Sequence, residues 1–442
     1  MDNKLKKFIL FAGDICVLYF SLYLTLFIRY WKAPTENLWQ EHFWPFTIIF
    51  VAWILIFFIS NLYSLNLAIN NTKFFQLTGR NLLIGGLLAT AFFYLTPQIT
   101  IAPKRNLLIY IAVFAVLFFV WRRFFNWSLK AYMPKNNIAI IGINDQAKEL
   151  INELNEKPHL GYRVAFVFDD KNDDIADLDK IIKSKKISTL VLTSDPNQSD
   201  KLRSYLFNSL RLKLNFISLP NFYEAITGKI PIIAINQMWF LENLSEGNKN
   251  FFNIIKRVYD IILALIILII TLPFWVIVGI IIKLESRGPA FFKQTRTGKN
   301  NNLFSIIKFR TMTCENNNYA PTAKNDNRIT KFGAFLRTTR IDEIPQIINI
   351  IKGEMSFVGP RPERPELIKE LEKNIPFYKE RMLVKPGITG WDQISGEYHS
   401  PSREDSIKKI QYDLFYIKNR SIYLDLSIIL KTIATVVSRG GR

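Results

Sequence analysis

The residues with the clearest chemical potential are two adjacent carboxylates, Asp342 and Glu343, in a strongly basic part of the chain. Between Lys283 and Arg364 the sequence has 15 lysines and arginines against 7 aspartates and glutamates. This local excess of positive charge would attract an anionic substrate to the two carboxylates. A carboxylate pair surrounded by cations is suited to chemistry on phosphate groups.

Five basic residues are candidates for binding phosphate. Arg337 and Arg340 precede the carboxylates, Arg361 follows them, and Lys308 and Arg310 lie in the motif KFRTM. A carboxylate that attacks a pyrophosphate meets two negative centres, at ~1 kcal/mol or more per pair of charges even in water, so it needs cations nearby. Because a planar guanidinium can hold phosphate through two hydrogen bonds, the pattern favours Arg337 and Arg361 as clamps.

The segment after the carboxylates has the pattern of a short helix. Pro345 favours the first turn of a helix through QIINIIK, and Gly353 would end it. Asp342 and Glu343 would then lie just ahead of a positive helix end, where a phosphoryl group is stabilised. A simpler interpretation also fits the residues: the carboxylates cap this helix and the arginines form solvated ion pairs.

The composition of the 442-residue chain predicts a membrane protein. The net charge is +20, yet 49% of the residues are hydrophobic and 14% are aromatic, which is too apolar for an ordinary soluble basic protein. The basic residues are interleaved with long apolar runs rather than gathered on one polar domain, so nucleic acid is not expected as a partner. We expect a membrane protein in contact with membrane lipids, with a basic cytoplasmic face.

Four apolar runs, at about 8–28, 44–63, 81–96 and 106–121, are candidates to cross the bilayer, although the third is short. Basic residues flank them before the first run, between the second and third, and after the fourth: Lys4, Lys6, Lys7, Lys73, Arg80, Arg122, Arg123 and Lys130. This pattern predicts a four-helix transmembrane unit over residues 1–130 with both ends in the cytoplasm. The alternative is that one or two runs are buried core helices.

From about residue 136 to 245 the pattern is that of an α/β domain. Short β-branched runs such as IAIIG and YRVAFVFDD alternate with amphipathic stretches such as DQAKELINELN, which predicts a parallel sheet in a Rossmann-like domain. Gly142 follows the first strand, but the turn lacks the further glycines of a dinucleotide-binding fingerprint. A scaffold without cofactor is therefore favoured, while nucleotide binding stays open.

A fifth apolar run, about 258–282, contains Pro273 and is bracketed by basic residues. Its 25 residues would reach ~37 Å as a helix, so length alone permits a crossing. Lys256 and Arg257 precede it, and Lys283 and Arg287 follow it, so charge does not favour a crossing. We predict a re-entrant membrane hairpin over residues 251–285, broken at Pro273, that enters and leaves on the cytoplasmic face.

The chain from about residue 251 to 435 resembles the bacterial sugar transferase family, the polyprenyl-phosphate hexose-1-phosphate transferases. The matching runs, in the family's order, are KRVYD (256–260), GPAFFKQTRTGKN (288–300), KFRTM (308–312), RITKFGAFLRTTRIDEIPQIINIIKGEMSFVGPRPE (328–363), KPGITGW (385–391) and YDLFYIKN (412–419). The whole chain looks like the large subgroup, which has four transmembrane helices and a nucleotide-fold-like domain before the catalytic part. The resemblance implies a protein of the bacterial inner membrane, in which residues 286–442 form a mainly α-helical cytoplasmic catalytic domain with interfacial C-terminal helices. From the residues alone, the stretch from Tyr412 to Val437 fits a helix on anionic lipid and a packed amphipathic helix of the soluble domain equally well.

The resemblance implies transfer of a hexose-1-phosphate from a UDP-sugar to undecaprenyl phosphate, with release of UMP, as the first step of a surface polysaccharide. It implies a covalent route in which Asp342 is the nucleophile and Glu343 its partner, and Arg337 and Arg361 match phosphate-binding arginines. It also implies a magnesium ion, which we assign to Asp342 or Glu343 without choosing. The hairpin residues implied are Lys256, Arg257, Asp260 and Pro273.

The sequence departs from the family pattern at two positions. Leu272 precedes Pro273 where many relatives have serine, so Thr271 could satisfy the broken backbone instead, and Asp392 replaces a small residue.

Two other functions are possible for such a chain. A membrane-anchored nucleotide-sugar dehydratase or epimerase would need a glycine fingerprint and a tyrosine four residues before a lysine, which the sequence lacks. A non-catalytic scaffold for polysaccharide enzymes is the other alternative. The four-helix unit and the α/β domain could also mediate a homodimer.

Overall fold

The computed structural model of the chain describes residues 3–60, 62–63, 72–96, 103–132, 136–156, 160–169, 178–193, 200–209, 211, 214–244, 249–313, 326, 328–395 and 402–437. Contacts within the chain divide it into two compact units, Met1–Ile217 and Ser218–Arg442. The carboxylate pair lies in the second unit.

The first unit begins with four helices, as the four apolar runs predict: α1 (Asn3–Tyr30), α2 (Glu36–Ile59), α3 (Thr72–Leu95) and α4 (Pro103–Tyr132). Within the described residues, α1, α2 and α4 are long and apolar enough to cross a membrane, as is one later helix at 250–285. The third helix, which covers the shortest of the four runs, does not reach that threshold. The finding supports a membrane protein.

A buried ion pair joins the first and fourth of these helices. Arg122 donates to Asp14 over 2.5 Å, and the two side chains are 2% and 0% exposed. The same guanidinium donates to the carbonyl of Leu62 over 2.7 Å. Arg122 is therefore not a solvated flank of the fourth run, because a charge buried this deeply needs its partner.

A four-stranded sheet follows, with the strand order β2-β1-β3-β4. The strands are β1 (Asn136–Ile141), β2 (Tyr162–Phe168), β3 (Ile187–Leu192) and β4 (Asn215–Ser218), and the helices between them are α5 (Asp145–Glu156), α6 (Leu178–Ser184) and α7 (Asp200–Ser209). Strand β1 is parallel to β2 and β3, as the alternating pattern predicts. Gly142 has a φ of 90° between β1 and α5, a conformation that favours glycine.

The second unit is mostly helical, with two small sheets. Its helices are α8 (Leu219–Thr227), α9 (Gln237–Asn243), α10 (Asn250–Glu285), α11 (Lys331–Thr338), α12 (Ile347–Lys352), α13 (Pro365–Asn374), α14 (Arg403–Asn419) and α15 (Ile422–Val437). Strands β5 (Phe291–Thr297) and β6 (Leu303–Phe309) form an antiparallel hairpin, while β7 (Ser356–Val358) and β8 (Gly387–Thr389) pair in parallel. Three-residue 3-10 helices lie at Ile232–Ala234, Lys299–Asn301 and Asp392–Ile394, and longer ones at Ile341–Gln346 and Tyr378–Leu383.

The boundary between the units differs from the domain limit at 245 that the sequence suggested. Helices α8 and α9 lie in the second unit: Glu224 of α8 pairs with Lys418 of α14, and Trp239 of α9 shares a hydrophobic core with Ile230 and Leu414. The main-chain N–H of Ile230 also donates to the carbonyl of Gln411 over 3.1 Å. The predicted limit at 245 would include both helices in the α/β domain, whereas the contacts place them in the second unit.

Helix α10 is continuous from Asn250 to Glu285 and contains Pro273. The predicted break at Pro273 is therefore not confirmed, and re-entry into the membrane stays a prediction. Proline leaves the carbonyl four residues before it, that of Ile269, without its usual N–H partner. The Thr271 hydroxyl instead donates to the carbonyl of Ile267 over 2.7 Å and lies 3.1 Å from the indole nitrogen of Trp275. Thr271 thus does not bond the carbonyl that Pro273 leaves open.

Candidate active site

The two carboxylates lie in the 3-10 helix Ile341–Gln346, directly before α12. The helix α12 ends at Gly353, whose φ of 86° is the left-handed conformation expected of a glycine cap. Arg340 enters the 3-10 helix with a φ of 58°, which is uncommon for a residue with a side chain. Asp342 and Glu343 are only 9% and 8% exposed, so both carboxylates are held away from bulk water.

Glu343 is the centre of a cluster of cations. Its Oε1 atom lies 2.8 Å from Lys308 Nζ, 3.1 Å from Arg361 Nη2 and 3.7 Å from Arg340 Nη1. Burial alone would raise the pKa of this carboxyl, but the three positive charges outweigh it and hold the pKa well below its usual range. Glu343 is therefore ionised, and it fixes the cations beside the neighbouring carboxylate.

Asp342 has a different environment from its neighbour. Its Oδ1 atom is buried and has no hydrogen-bond partner in the protein. Burial and the negative charge of Glu343 raise the pKa of Asp342, while Lys308, Arg337 and Arg340 act in the opposite direction. An oxygen that is desolvated and unpaired is available to attack an electrophile, which is what a carboxylate nucleophile requires.

Lys308 reaches the pair from strand β6, which lies against the 3-10 helix. Burial lowers the pKa of this ammonium, and the charge of Glu343 opposes that effect. The strand is fixed by Asn349, a fully buried residue of α12 that the sequence interpretation did not single out. Its amide accepts from the N–H of Ile307 over 3.2 Å and donates to the carbonyl of Ser305 over 2.7 Å.

Arg361 is presented by the loop after β7, and this loop is held from several sides. Arg381 donates to the carbonyl of Arg361 over 3.0 Å and pairs with Asp413 at 2.8 Å. Arg296 donates to the carbonyl of Pro362 over 3.2 Å. Sequence reasoning missed these supporting residues, because they come from distant parts of the chain and only folding places them behind Arg361.

The remaining predicted phosphate ligands have other contacts. Arg337 donates from Nε to the hydroxyl of Thr311 over 2.8 Å, and its charge acts on Asp342 without a direct bond to it. Arg310 donates to the carbonyl of Ser286 over 2.6 Å and to that of Arg287 over 3.0 Å, at the end of α10. The arrangement therefore brings Lys308, Arg340 and Arg361 to the carboxylates, whereas Arg310 anchors α10.

The basic residues at the start of α10 are bonded to the rest of the second unit, Ser218–Arg442, which is the catalytic unit. Arg257 donates to the carbonyls of Ile350 and Ile351 over 2.6 and 2.8 Å, which satisfies the C-terminal end of α12. Asp260 accepts from the N–H of Phe357 over 3.2 Å. Lys256 forms an ion pair with the buried carboxylate of Asp425 in α15. These residues hold in place the elements around the Asp342–Glu343 pair (the dyad) and do not contact the pair itself.

Asp392, the departure from the family pattern, is buried in a charged network behind Arg361. Burial raises its pKa to about 6, while the charges of Lys409, Arg381 and Arg361 oppose that shift. Glu363 is ion-paired with Lys409 and lies 3.6 Å from Arg296. Burial would raise the pKa of Glu363, but Lys409 and Arg381 lower it to about 2. Asp392 thus adds negative charge to a cluster rich in cations.

The last helix, α15, has two faces. Ile428 is fully buried, whereas Tyr423 and Leu426 are 67% and 52% exposed. The sequence left open whether this segment packs on the protein or lies on lipid. The structure shows the packed face, and the exposed apolar residues fit contact with a membrane surface.

The donor set suits a hydrated magnesium ion. Among the described residues, no group of three or more histidines, cysteines, aspartates or glutamates is placed to hold a metal. Magnesium, however, keeps several waters and is commonly held by one or two carboxylates together with substrate phosphates. Asp342 Oδ1 has no protein partner, and the ion pairs of Glu343 all involve Oε1, so carboxylate oxygen remains for a metal.

Comparison with known proteins identifies the family to which the chain is similar. A family model described as bacterial sugar transferase matches residues 251–439, and one described as a CoA-binding domain matches residues 59–193. The UDP-glucose:undecaprenyl-phosphate glucose-1-phosphate transferase of Xanthomonas campestris pv. campestris is 30% identical over 72% of this chain and 70% of its own length. The Escherichia coli (strain K12) protein of the same name is 30% identical over 70% of this chain and 69% of its own length.

A third relative covers a shorter stretch. The UDP-N-acetylgalactosamine-undecaprenyl-phosphate N-acetylgalactosaminephosphotransferase of Aeromonas hydrophila is 40% identical over 49% of this chain, and the match spans about half (51%) of that protein. The matches to the Xanthomonas campestris and Escherichia coli proteins cover more than two thirds of each relative. The chain therefore belongs to the bacterial sugar transferase family, the undecaprenyl-phosphate glycosyl-1-phosphate transferases.

Proposed function

We propose that this protein transfers a hexose-1-phosphate from a UDP-sugar to undecaprenyl phosphate through a covalent intermediate on Asp342, and so begins a surface polysaccharide. The single observation that carries the proposal is the contrast within the dyad. Asp342 Oδ1 is buried without a partner, while Glu343 next to it binds Lys308, Arg340 and Arg361. One carboxylate is left reactive, and the other gathers the charges that a phosphate needs.

In the first step a carboxylate oxygen of Asp342 attacks the phosphorus that carries the sugar. The new bond is the acyl phosphate P–O bond, and the bond that breaks joins this phosphorus to the bridging oxygen, which leaves with UMP. Arg361, Arg340 and Lys308 would stabilise the negative charge on the phosphoryl oxygens as the bonds exchange. Their pairing with Glu343 holds them in place before substrate binds, so little reorganisation is required.

In the second step a phosphate oxygen of undecaprenyl phosphate attacks the same phosphorus, and the Asp342 carboxylate leaves. The product is a lipid diphosphate sugar, and the enzyme is restored. Magnesium, if held by Asp342 or Glu343, would supply neutralising charge to the diphosphate of the donor. Removal of divalent metal by a chelator should then abolish turnover, with recovery on addition of Mg²⁺ but not Na⁺.

The lipid acceptor requires the site to be at the membrane surface. Both ends of α10 are anchored to the catalytic unit: Arg257 near its start bonds α12, and Glu285 at its end accepts from the N–H of Phe332. Between them, Ile269, Leu272 and Phe274 are 72%, 52% and 60% exposed, an apolar surface that water would not favour. These contacts support entry and exit of α10 on one side of the membrane, with the dyad in the cytoplasm.

The proposal is tested by release of UMP from detergent-solubilised protein supplied with undecaprenyl phosphate, Mg²⁺ and a panel of UDP-hexoses. Release with one donor and formation of a lipid-linked sugar would establish reaction and donor together. If folded protein releases no UMP from any donor while a relative assayed alongside does, the proposed reaction is wrong. Loss of polysaccharide in cells carrying Asp342→Ala would separately exclude the non-catalytic scaffold.

A further inference from the structure

A pocket of about 220 Å³ opens beside the dyad. Glu343 and Arg340 are among the residues that line it. Most of the rest is aliphatic or aromatic: Ile267, Ile344, Ile347, Phe357, Ile388 and Ile394. The pocket therefore combines a charged pair of residues with a mostly hydrocarbon lining, which suits an amphiphile with an anionic head.

One wall of the pocket belongs to the helix that we place in the membrane. Ile267 lies on α10, six residues before Pro273. Its neighbours Ile266 and Ile270 point elsewhere and are 48% and 62% exposed. Thr432 of α15 also lines the pocket, and this helix has exposed apolar side chains of its own, such as Ile433 at 48%. The pocket thus lies between two elements whose outer surfaces are suited to lipid.

The polar groups in the pocket offer little to a nucleoside. The hydroxyls of Thr389 and Thr432 bond each other at 2.7 Å, and Thr432 also donates to the carbonyl of Ile428 over 2.8 Å. Gln393 is an exception, because its buried amide oxygen has no hydrogen-bond partner. The volume is also below the ~300 Å³ at which sites for whole drug-sized ligands begin, so it would hold only part of a ligand.

We propose that this pocket binds the first isoprene units of the lipid acceptor, next to its phosphate, and so aims the phosphate at the Asp342 adduct. The inference rests on the proposed function, and it adds the place from which the second substrate approaches. A branched unsaturated chain would bury its methyl groups against the isoleucines, while its phosphate would lie beside Arg340. The donor would then occupy the other side of the dyad.

The test separates the two half-reactions. Exchange of labelled UMP into the UDP-sugar, without acceptor, reports the first step, while full turnover against undecaprenyl phosphate concentration reports the second. Ile267→Phe and Ile394→Phe fill the pocket from two different elements, and Ile266→Phe is the matched control on the exposed face of α10. We expect the pocket variants to raise the acceptor KM by roughly 10-fold or more, with UMP exchange unchanged, and the control to alter neither.

Gln393→Leu should change the acceptor KM in the opposite direction. It replaces an unpaired buried amide by hydrocarbon, so the acceptor KM should fall if isoprene units occupy the pocket. A rise in the donor KM in this variant, or loss of UMP exchange in the folded filling variants, would assign the pocket to the nucleotide and overturn the proposal. An unchanged acceptor KM in both filling variants would also overturn it. Absence of UMP exchange in the wild-type protein would instead refute the proposed covalent function itself.

Discussion

Asp342 and Glu343 are adjacent in one 3-10 helix, yet Lys308, Arg340 and Arg361 all pair with Glu343. The consequence is that burial raises the pKa of Asp342, whereas the cations lower that of Glu343. When environments separate two neighbouring carboxyl groups in this way, they acquire different chemical roles. We assign covalent chemistry to Asp342 and organisation of the cations to Glu343.

Arg361→Lys should reduce kcat/KM by roughly 10²-fold, because an ammonium cannot replace the two-pronged hydrogen bonding of a guanidinium on a phosphate. Steady-state UMP release measures this effect. Arg364→Lys, three residues along the same loop, is the control and should retain activity. Near-normal turnover in Arg361→Lys would mean that Arg361 acts only through its charge or its support of the loop.

The acidic limb of the pH profile of kcat/KM should reflect the ionisation of Asp342. This carboxyl must be ionised to attack, and its raised pKa means that activity is lost on acidification at a higher pH than for an ordinary aspartate. The charge of Lys308 lowers that pKa, so Lys308→Gln should move the acidic limb of kcat/KM to still higher pH. Lys293→Gln, on the paired strand, should leave the limb in place. A shift to lower pH in Lys308→Gln would contradict this account.

Asp413→Ala should destabilise the catalytic unit by about 3–5 kcal/mol, because it leaves the buried Arg381 guanidinium without its carboxylate. The two side chains are 3% and 2% exposed. Glu404→Ala on the same helix changes an exposed side chain and should cost below about 1 kcal/mol. Denaturant unfolding of the solubilised proteins compares the two. Equal losses would show that the Arg381 pair does not support the Arg361 loop.

A cysteine placed at Asn300, after α10, tests the membrane topology. In a background with Cys16 and Cys314 replaced by serine, Asn300→Cys should resist an impermeant thiol reagent applied to intact cells. Thr35→Cys, between α1 and α2, should react as the periplasmic control. Labelling at both positions would show that α10 crosses the membrane, which would overturn re-entry.

Much of the site follows from the sequence because its residues are adjacent or lie in compact motifs. Asp342, Glu343, Lys308 and Arg361 belong to contiguous runs, and the structure brings all four together. Arg310 shares the motif KFRTM with Lys308, but it bonds carbonyls at the end of α10. Strand β6 ends at Phe309, so Arg310 lies beyond it and need not share the face of Lys308, and charge alone does not show where the strand ends.

The parts that the sequence did not show depend on long-range contacts. Arg381 and Asp413 lie 32 positions apart in the sequence, and both act on a loop near residue 361. The same limit applies to the domain boundary near residue 217, since local pattern does not reveal against which core α8 and α9 pack. The helix assignment through Pro273 also differs from the predicted break, because one missing hydrogen bond need not end a helix whose other turns remain bonded.

The central claim, a covalent phosphosugar on Asp342, is tested most directly by mass spectrometry of protein incubated with UDP-sugar and Mg²⁺ in the absence of lipid acceptor. The account predicts a hexose-phosphate adduct on the peptide that contains Asp342, which disappears on addition of undecaprenyl phosphate. It also predicts no adduct and at least roughly 10³-fold slower turnover in Asp342→Asn. An adduct on Glu343, or full turnover by Asp342→Asn, would contradict the assignment.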